Sequence, residues 1–234
     1  SLQQKEFGDA TTALATFRTA LDRFAEHEPS RLSLEALLDD KALFADAAEA
    51  LESVYRATNR SAELASLFER RVERAEGGDR IRMRLDLARV LEEMVGDARR
   101  AQRTLEAALR EDPTDPDVLS EVERLAPTTD GWKDAEAALA EGLAKAESLS
   151  GTGRSELWAK LATWRRDRLA DPRGAESAFV EALSTDSENG ELLRQLEDLR
   201  RAPGRERELI ETLRTRTKLE HDPSDRRALL KEAK

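Results

Sequence analysis

One spacing recurs along the last two-thirds of the chain. Residues of the same kind stand 74 positions apart at Arg80 and Arg154, Leu87 and Leu161, Ala101 and Ala175, Asp112 and Asp186, and Leu125 and Leu199. Because small, apolar and loop positions recur together, chance does not explain the match. A fixed period of this kind indicates a repeat array, in which each unit buries its apolar face only by stacking on its neighbours.

Each copy of this period contains two smaller units. The first unit carries the same apolar pattern in both copies, at Ala101, Leu105, Ala108 and Leu109 and again at Ala175, Phe179, Ala182 and Leu183. Positions i, i+4, i+7 and i+8 share one face of an α-helix, and alanine on that face lets a second helix approach closely. The second unit follows at the same interval in both copies, at Ala135 and at Leu209. The pattern predicts pairs of antiparallel helices.

Helical periodicity and turn residues together predict about twelve helices and no strand. The predicted helices lie near residues 9–27, 33–57, 60–75, 79–96, 98–111, 116–126, 131–148, 154–169, 172–185, 189–201, 204–219 and 224–234. They form one array over residues 1–234, with units near 1–29, 30–78, 79–113, 114–151, 152–187 and 188–222 and a partial unit at 223–234.

The spacing is different near the start of the chain. Ala13 stands 88 positions before Ala101, whereas the later spacing is 74 positions. About fourteen extra residues must therefore fit between positions 30 and 47. Either the helix that contains Leu37 and Phe44 is longer than its counterparts, or a short helix has been added.

The composition suits an elongated array. The 234 residues are 39% hydrophobic and 38% charged, whereas ordinary globular chains are about 45–50% apolar and about 25% charged. The absence of cysteine excludes disulfides, thiolate metal sites and a cysteine nucleophile. No apolar run reaches the roughly 20 residues of a membrane-spanning helix, so we expect no membrane insertion. The chain opens at Ser1 and stops at Lys234 inside a predicted helix, and we expect a fragment of a longer, cytoplasmic protein.

Acidic and basic residues are unevenly distributed. Residues 1–153 carry 21 basic and 32 acidic side chains, whereas residues 154–234 carry 18 and 17. The acidic front part repels polyanions. The rear part contains an arginine-rich set, formed by Arg165, Arg166, Arg168, Arg200, Arg201, Arg205 and Arg207. These arginines are interpreted as charges on solvated helix faces, with an anion-binding surface as the alternative.

No residue pattern points to catalysis, a cofactor or a metal. The two histidines, His27 and His221, are far apart in sequence and lie at predicted helix ends. The loop Gly151-Thr152-Gly153 lacks the spacing of a phosphate-binding loop. Carboxylate pairs such as Glu92-Glu93 lie among polar residues, where a solvated helix face is the default. We therefore predict no catalytic, cofactor-binding or metal-ligating residue, and a protein that is not an enzyme.

The run from Ala101 to Pro113, preceded by Gly96-Asp97, resembles the second half of a tetratricopeptide repeat. Its alternation with a looser unit that opens on Gly131-Trp132 is similar to the long tetratricopeptide arrays of large bacterial proteins. The resemblance implies an all-α, right-handed superhelical solenoid of antiparallel helix hairpins. The chain departs from the family pattern in its first helices, which lack the usual Trp and Tyr positions. It also has one extra residue between Ala88 and Gly96.

The resemblance also implies a function. In tetratricopeptide proteins the first helix of each unit lines a concave groove, so we expect a non-enzymatic scaffold that binds a protein or peptide there, without a cofactor. The candidate groove-lining residues lie opposite Leu87 and Leu161 and are Arg82, Arg89, Glu93, Glu156, Thr163 and Arg166. We do not expect the carboxylate-clamp type of groove, because the only two asparagines, Asn59 and Asn189, lie in predicted loops.

Two alternatives from other classes stay open. The arginine-rich set could serve an RNA-associated helical-repeat protein, although we expect no nucleic-acid partner overall. The chain could also be the regulatory repeat region of an enzyme whose catalytic domain lies outside this sequence.

Overall fold

The computed structural model describes residues 2–146 and 149–232, and the side chains from residue 10 onward. In this part of the chain it contains thirteen α-helices and no strand. Their bounds are Leu2–Arg23 (α1), Glu28–Leu37 (α2), Phe44–Ala57 (α3), Ser61–Arg74 (α4), Gly77–Val90 (α5), Ala98–Glu111 (α6), Pro116–Thr129 (α7), Trp132–Lys145 (α8), Gly151–Asp167 (α9), Pro172–Thr185 (α10), Gly190–Arg200 (α11), Glu206–Leu219 (α12) and Pro223–Glu232 (α13). The predicted all-α fold of helix hairpins is confirmed.

The predictions fail at the front of the chain. The predicted helix 33–57 is wrong, because α2 and α3 are separate helices joined by residues 38–43. Asp40 explains the break, since its Oδ1 accepts a hydrogen bond from the backbone N–H of Ala42 at 2.8 Å. A short side chain that bonds the nearby backbone in this way competes with helix formation. The extra residues therefore form a short additional helix and do not lengthen an existing one.

Helix ends differ in a few other places. The first helix begins at Leu2 rather than near residue 9. Helix α8 ends at Lys145, before the predicted end at 148, and Glu147 and Ser148 lie outside the described residues. The last two residues of the predicted helix 224–234 also lie outside them.

The chain divides into two compact units, Ser1–Thr104 and Leu105–Lys234. In the first, helices α1 to α5 pack mainly against their neighbours in sequence, with an added contact between α1 and α3. In the second, each helix from α7 to α13 packs against the next. Contacts between sequence neighbours are typical of stacked repeats. The finer division into seven repeat units stays a prediction.

The apolar pattern of the first type of unit forms the core. Ala101, Ala108, Ala175 and Ala182 have no exposed surface, and Phe179 is 1% exposed. Alanine at these positions brings helix backbones close together, and the larger side chains between them fill the remaining space. The predicted buried face is confirmed at all of these residues.

The turns between paired helices also repeat the same backbone conformation. Three hairpins turn through a left-handed residue at Asn59 (φ 54°), Asp130 (φ 55°) and Gly204 (φ 84°), which follow one another at nearly equal intervals. The other hairpin type uses Gly96 (φ 77°) and Ala170 (φ 51°), which stand one full period apart. A left-handed backbone costs about 1 kcal/mol or more at a residue with a Cβ. The turn geometry therefore persists even where the residue does not favour it.

A π-helical turn at Leu91–Val95 continues α5. It lies between Ala88 and Gly96. The equivalent interval of the second copy, Ala162 to Ala170, has the same length but contains no π-turn. The backbone N–H of Gly96 closes it by donating to the carbonyl of Leu91, and the N–H of Asp97 donates to the same carbonyl at 2.8 Å.

One carboxylate holds each of two hairpins together in the same way. Glu52 on α3 and Glu197 on α11 each accept hydrogen bonds from an arginine on or directly after their own helix and from one on the partner helix. The bonds are Arg56 to Glu52 at 3.0 Å, Arg71 to Glu52 at 2.5 Å, Arg201 to Glu197 at 2.5 Å and Arg216 to Glu197 at 2.5 Å. The Glu197 side chain is only 5% exposed.

The hairpin α7–α8 has a glutamate at the same place but uses it differently. Glu123 accepts from Lys160 at 2.7 Å and from the Trp164 indole N–H at 3.0 Å, and both donors lie on the following helix, α9. Gly142 on α8 stands one full period before Arg216 and nearly one period after Arg71. The arginine that would hold Glu123 within its own hairpin is therefore replaced by glycine.

Candidate functional site

An exposed charged stripe runs along α5 and the π-turn. It consists of Asp79, Arg82, Asp86, Arg89 and Glu93, which are spaced three or four residues apart and therefore share one helix face. The side chains of Arg82 and Arg89 are 71% and 65% exposed. Their distances to Asp79 and Asp86 are 3.4 and 3.5 Å. Pairs this exposed and this long contribute about 0–1 kcal/mol each, so the charges stay available to a partner. Three of the six predicted groove-lining residues lie in this α5 stripe.

The other three predicted residues lie on α9 and differ in their surroundings. Glu156 is exposed, whereas Thr163 is half-buried and donates its hydroxyl to the carbonyl of Ala159 at 2.9 Å. Arg166 is half-buried and donates to both carboxylate oxygens of Asp167, at 2.7 and 3.1 Å. Each of these side chains except Glu156 is thus held by a neighbour on its own helix.

Arg166 is held by further neighbours in the second unit. It donates to the side-chain oxygen of Gln195 on α11, and its guanidinium lies 5.8 Å from the centre of the Phe179 ring. The hydrogen bond with Asp167 raises the pKa of Arg166 and lowers the pKa of Asp167. Arg166 therefore joins α9, α10 and α11, and its role as a groove-lining residue stays a prediction without support from its geometry.

The arginine-rich set is largely engaged inside the second unit. Apart from Arg166, five of its members pair with a carboxylate or an aromatic ring. They are Arg165 with Glu136 at 2.6 Å, Arg168 over the Trp132 ring at 5.1 Å, Arg200 with Glu176 at 2.8 Å, Arg201 with Glu197 at 2.5 Å and Arg205 with Glu176 at 2.5 Å. Arg207 is exposed. The arginines that pair with carboxylates attract an RNA backbone weakly, because phosphate binding depends on free cations.

Glu176 on α10 is the centre of one of these networks. Its Oε1 accepts hydrogen bonds from Arg205 at 2.7 Å and from Arg200 at 2.8 Å. The side chains of Glu176 and Arg200 are each 14% exposed. The hydrogen bond from Arg205 is the largest influence that lowers the pKa of Glu176 below its ordinary value of 4.5. The hydrogen bond from Arg200 lowers it further, whereas burial has the opposite effect. The network links α10 to α11 and to the start of α12.

We expect Glu176→Gln to remove a stabilisation that depends on pH. Above pH 4.5 the carboxylate is ionised in both folded and unfolded chains, so its contribution is complete; it is lost as the pH falls through the lowered folded pKa. The gap in urea midpoint between wild type and the variant should therefore shrink between neutral pH and about pH 3. Tryptophan fluorescence measures it, since Trp132, Trp158 and Trp164 all belong to the second unit.

Glu181→Gln is the control for this prediction, because Glu181 is an exposed carboxylate on the same helix. Its midpoint should follow that of wild type closely at every pH. A Glu176→Gln gap that stays constant with pH would contradict the assignment of the network.

A cavity lies in the first unit where α2, α3 and α4 meet, and we name it the α2–α4 cavity. Its volume is about 360 Å³. Its apolar lining consists of Leu38, Ala62 and Leu67, and its polar lining of Glu35, Tyr55, Glu63, Ser66 and Arg70. The cavity exists because the additional helix α2 contributes Glu35 to it and the turn after α2 contributes Leu38.

Tyr55 and Glu35 form the inner polar contact of the cavity. The Tyr55 hydroxyl donates to Oε1 of Glu35 at 2.6 Å, and Arg31 donates to the same oxygen. Burial, followed by the hydrogen bond to Glu35, raises the pKa of Tyr55 well above its usual value. The phenol therefore stays protonated and keeps donating. Oε2 of Glu35 takes neither of these two bonds.

Glu63 and Arg70 on α4 complete the polar lining. Arg60 donates to Oε1 of Glu63 at 3.0 Å. The backbone N–H of Glu63 and then Arg60 lower the pKa of this carboxyl group, which stays ionised. Arg70 donates to the carbonyl of Leu38 at 2.8 Å and to Asp39 at 2.6 Å. Arg70 is thus committed to the turn that follows α2.

The α2–α4 cavity could not be predicted from the sequence. The only indication in the sequence is the longer first spacing, from Ala13 to Ala101, which shows that an extra element is inserted in this part of the chain. The residues that line it come from three helices and show no motif in sequence. Within residues 2–146 and 149–232 there is no group of three or more potential ligands that could hold a metal ion, and no helix long and apolar enough to cross a membrane.

Comparison with known proteins gives likeness in structure and none in sequence. No protein-family model matches the chain, and no curated protein matches it. A tetratricopeptide repeat protein from Parabacteroides merdae ATCC 43184 is 14% identical with a TM-score of 0.39, and the match covers 96% of this chain and 86% of that one. A chain of the APC/C hetero-tetramer Cut9–Hcn1 is 16% identical with a TM-score of 0.40. That match covers 96% of this chain but 42% of the other, so this chain spans less than half of its length.

The nuclear import adaptor Nro1 of S. pombe is 14% identical with a TM-score of 0.25, and the match covers 97% of this chain and 92% of the adaptor. At these identities and scores we base no functional argument on the likeness. The chain is similar to helical-repeat proteins over almost its whole length. Its fold is defined by its own helices and by the contacts between them.

Proposed function

We propose that this chain is a protein-interaction scaffold that acts by binding, with a peptide or helix of a partner protein seated on the exposed faces of its first helices. The α5 stripe is the observation that carries the proposal. Its charged side chains project from a helix whose other faces bury Ile81, Leu87 and Leu91. A rigid helix that presents exposed charges is suited to selecting a partner by charge complementarity.

Arginine is the residue of the α5 stripe best suited to such a contact. Its guanidinium donates hydrogen bonds in a planar fork, and arginine is enriched among the residues that dominate interface energies. Arg82 and Arg89 stand seven residues apart and therefore two turns along one face. They present two cations about 10 Å apart, a spacing that an acidic helix or an extended peptide can match.

The RNA-associated alternative receives no support, because five of the seven arginines in the arginine-rich set pair with carboxylates and a sixth, Arg168, lies over a tryptophan ring. The hypothesis that the chain regulates a catalytic domain outside this sequence stays a prediction, as does location in the cytoplasm.

The proposal is tested by charge reversal on the α5 stripe. The chain is used to select binders from a phage library of short random peptides, and the selected peptides are then titrated against Arg82→Glu/Arg89→Glu. We expect an enriched motif with acidic residues spaced to meet Arg82 and Arg89, and affinities at least about tenfold weaker for the double variant.

The matched control is Arg99→Glu/Arg103→Glu. It reverses two exposed arginines on α6, a second helix, and so makes the same change in net charge away from the stripe. Circular dichroism shows whether both variants keep their helices. A selection without a motif would overturn the proposal, and so would equal losses of affinity in the two double variants.

A further inference from the structure

The α2–α4 cavity has the size and lining of a binding site. Ligand sites in proteins commonly enclose about 300–1,000 Å³, with apolar walls and a few polar groups that fix orientation. This cavity has about 360 Å³ and combines three apolar side chains with two carboxylates, a phenol, a serine hydroxyl and a guanidinium. Such a volume suits one long side chain of a partner rather than a whole peptide.

The charges in the cavity favour a cation. Arg31 and Tyr55 both donate to the same oxygen of Glu35, which leaves Oε2 of that carboxylate outside these bonds. Arg60 donates to Oε1 of Glu63 at 3.0 Å, which leaves Oε2 of that carboxylate outside this bond, and the Glu63 side chain is 41% exposed. Two carboxylates with capacity to accept further hydrogen bonds therefore line one cavity.

Arg70 does not cancel this preference. Its guanidinium donates hydrogen bonds to the carbonyl of Leu38 and to Asp39, and both acceptors belong to the turn after α2. An entering anion would have to compete with Asp39, at 2.6 Å from Arg70. It would also meet the negative charges of Glu35 and Glu63.

We propose that the α2–α4 cavity binds an arginine side chain of the partner peptide, a site that rests on the proposed scaffold function. The aliphatic stem packs against Leu38, Ala62 and Leu67. The guanidinium donates to Glu35 and Glu63. Arginine fits better than lysine because its planar fork can reach two acceptors at once, whereas an ammonium group is a compact and strongly hydrated charge.

Tyr55 offers a direct test because it is the only tyrosine in the chain. Labelling tyrosine with ¹³C at both Cε positions gives NMR signals from a ring that lines the cavity. The probes are capped peptides of the form Gly-Gly-X-Gly-Gly, with arginine, lysine, leucine or glutamate at X. We expect the arginine peptide to shift the Tyr55 signals in a saturable way, lysine to act more weakly, and leucine and glutamate to leave them in place.

Glu63→Gln should weaken binding of the arginine peptide about tenfold, because it removes a charged acceptor while keeping the shape of the side chain. Glu73→Gln is the matched control, since it makes the same change at an exposed position on the same helix. It should bind within about twofold of wild type. Unchanged Tyr55 signals in the free Glu63→Gln variant show that the cavity is intact.

Three results would overturn the proposal. They are no shift with the arginine peptide, an equal or larger shift with the glutamate peptide, and equal binding by Glu63→Gln and wild type. If phage-selected peptides still depend on Arg82 and Arg89 in that case, only the cavity assignment fails and the scaffold function stands.

Discussion

Replacing Gly142 with alanine is expected to destabilise the second unit by about 2–3 kcal/mol, although alanine favours helix over glycine by about 1 kcal/mol. A Cβ on Gly142 would lie 2.5 Å from the carbonyl oxygen of Leu109 and 3.1 Å from Cβ of Pro113. Neither atom belongs to a flexible side-chain end, so α8 would have to move away from the end of α6. Urea unfolding followed by tryptophan fluorescence measures the loss, because all three tryptophans lie in this unit.

Gly190→Ala is the control for this substitution. Gly190 lies in the first turn of α11, and a Cβ there would meet no atom within 4 Å. Its urea midpoint should equal or slightly exceed that of wild type, since alanine restricts the unfolded chain. A Gly142→Ala protein as stable as Gly190→Ala would show that α6 and α8 are not in close contact.

Replacing Glu197 with alanine is the second substitution with a large expected effect, a loss of about 2–4 kcal/mol in the second unit. Glu197 is the most deeply buried of the ion-paired carboxylates described above, at 5% exposure, and its removal leaves the guanidinium of Arg216 without its acceptor. Arg216 is itself only 21% exposed, so water replaces the lost carboxylate poorly. Arg201 is 45% exposed and is solvated more easily, which keeps the loss below that of a fully buried pair.

Two variants separate charge from packing in this prediction. Glu191→Ala removes a carboxylate that pairs with Arg194 at 2.7 Å on the same helix but is 60% exposed, so its urea midpoint should stay close to that of wild type. Glu197→Gln keeps the side-chain volume and one acceptor oxygen, so its loss should lie between the two alanine variants. Equal losses for Glu197→Ala and Glu191→Ala would mean that the arginine contacts of Glu197 contribute little.

The parts of the fold that follow from local pattern could be predicted from the sequence. Four alanines lie at helical spacing on an apolar face, namely Ala101, Ala108, Ala175 and Ala182. In stacked helix hairpins an apolar helix face packs against a neighbouring helix, so these residues are expected to be buried. The π-turn at Leu91–Val95 could not be predicted, because the second copy has the same spacing and forms no such turn.

The parts that depend on contacts between distant residues could not be predicted. Arg166 has the spacing of an exposed groove residue, but Gln195 and Phe179 approach it from other helices and hold it in place. Charged residues are usually solvated, and a sequence alone does not tell which of them meet partners on another helix, as Arg200 meets Glu176. The α2–α4 cavity could not be predicted for the same reason, because its lining residues come from three helices.

The replacement of an arginine by Gly142 has a consequence for how the hairpins follow one another. Where the arginine is present, as in α3–α4 and α11–α12, the shared glutamate closes its own hairpin. Where glycine stands instead, Glu123 is free to fasten Lys160 and Trp164 of the hairpin that comes next. The same glutamate position therefore closes a hairpin at α3–α4 and at α11–α12, and joins two consecutive hairpins at α7–α8.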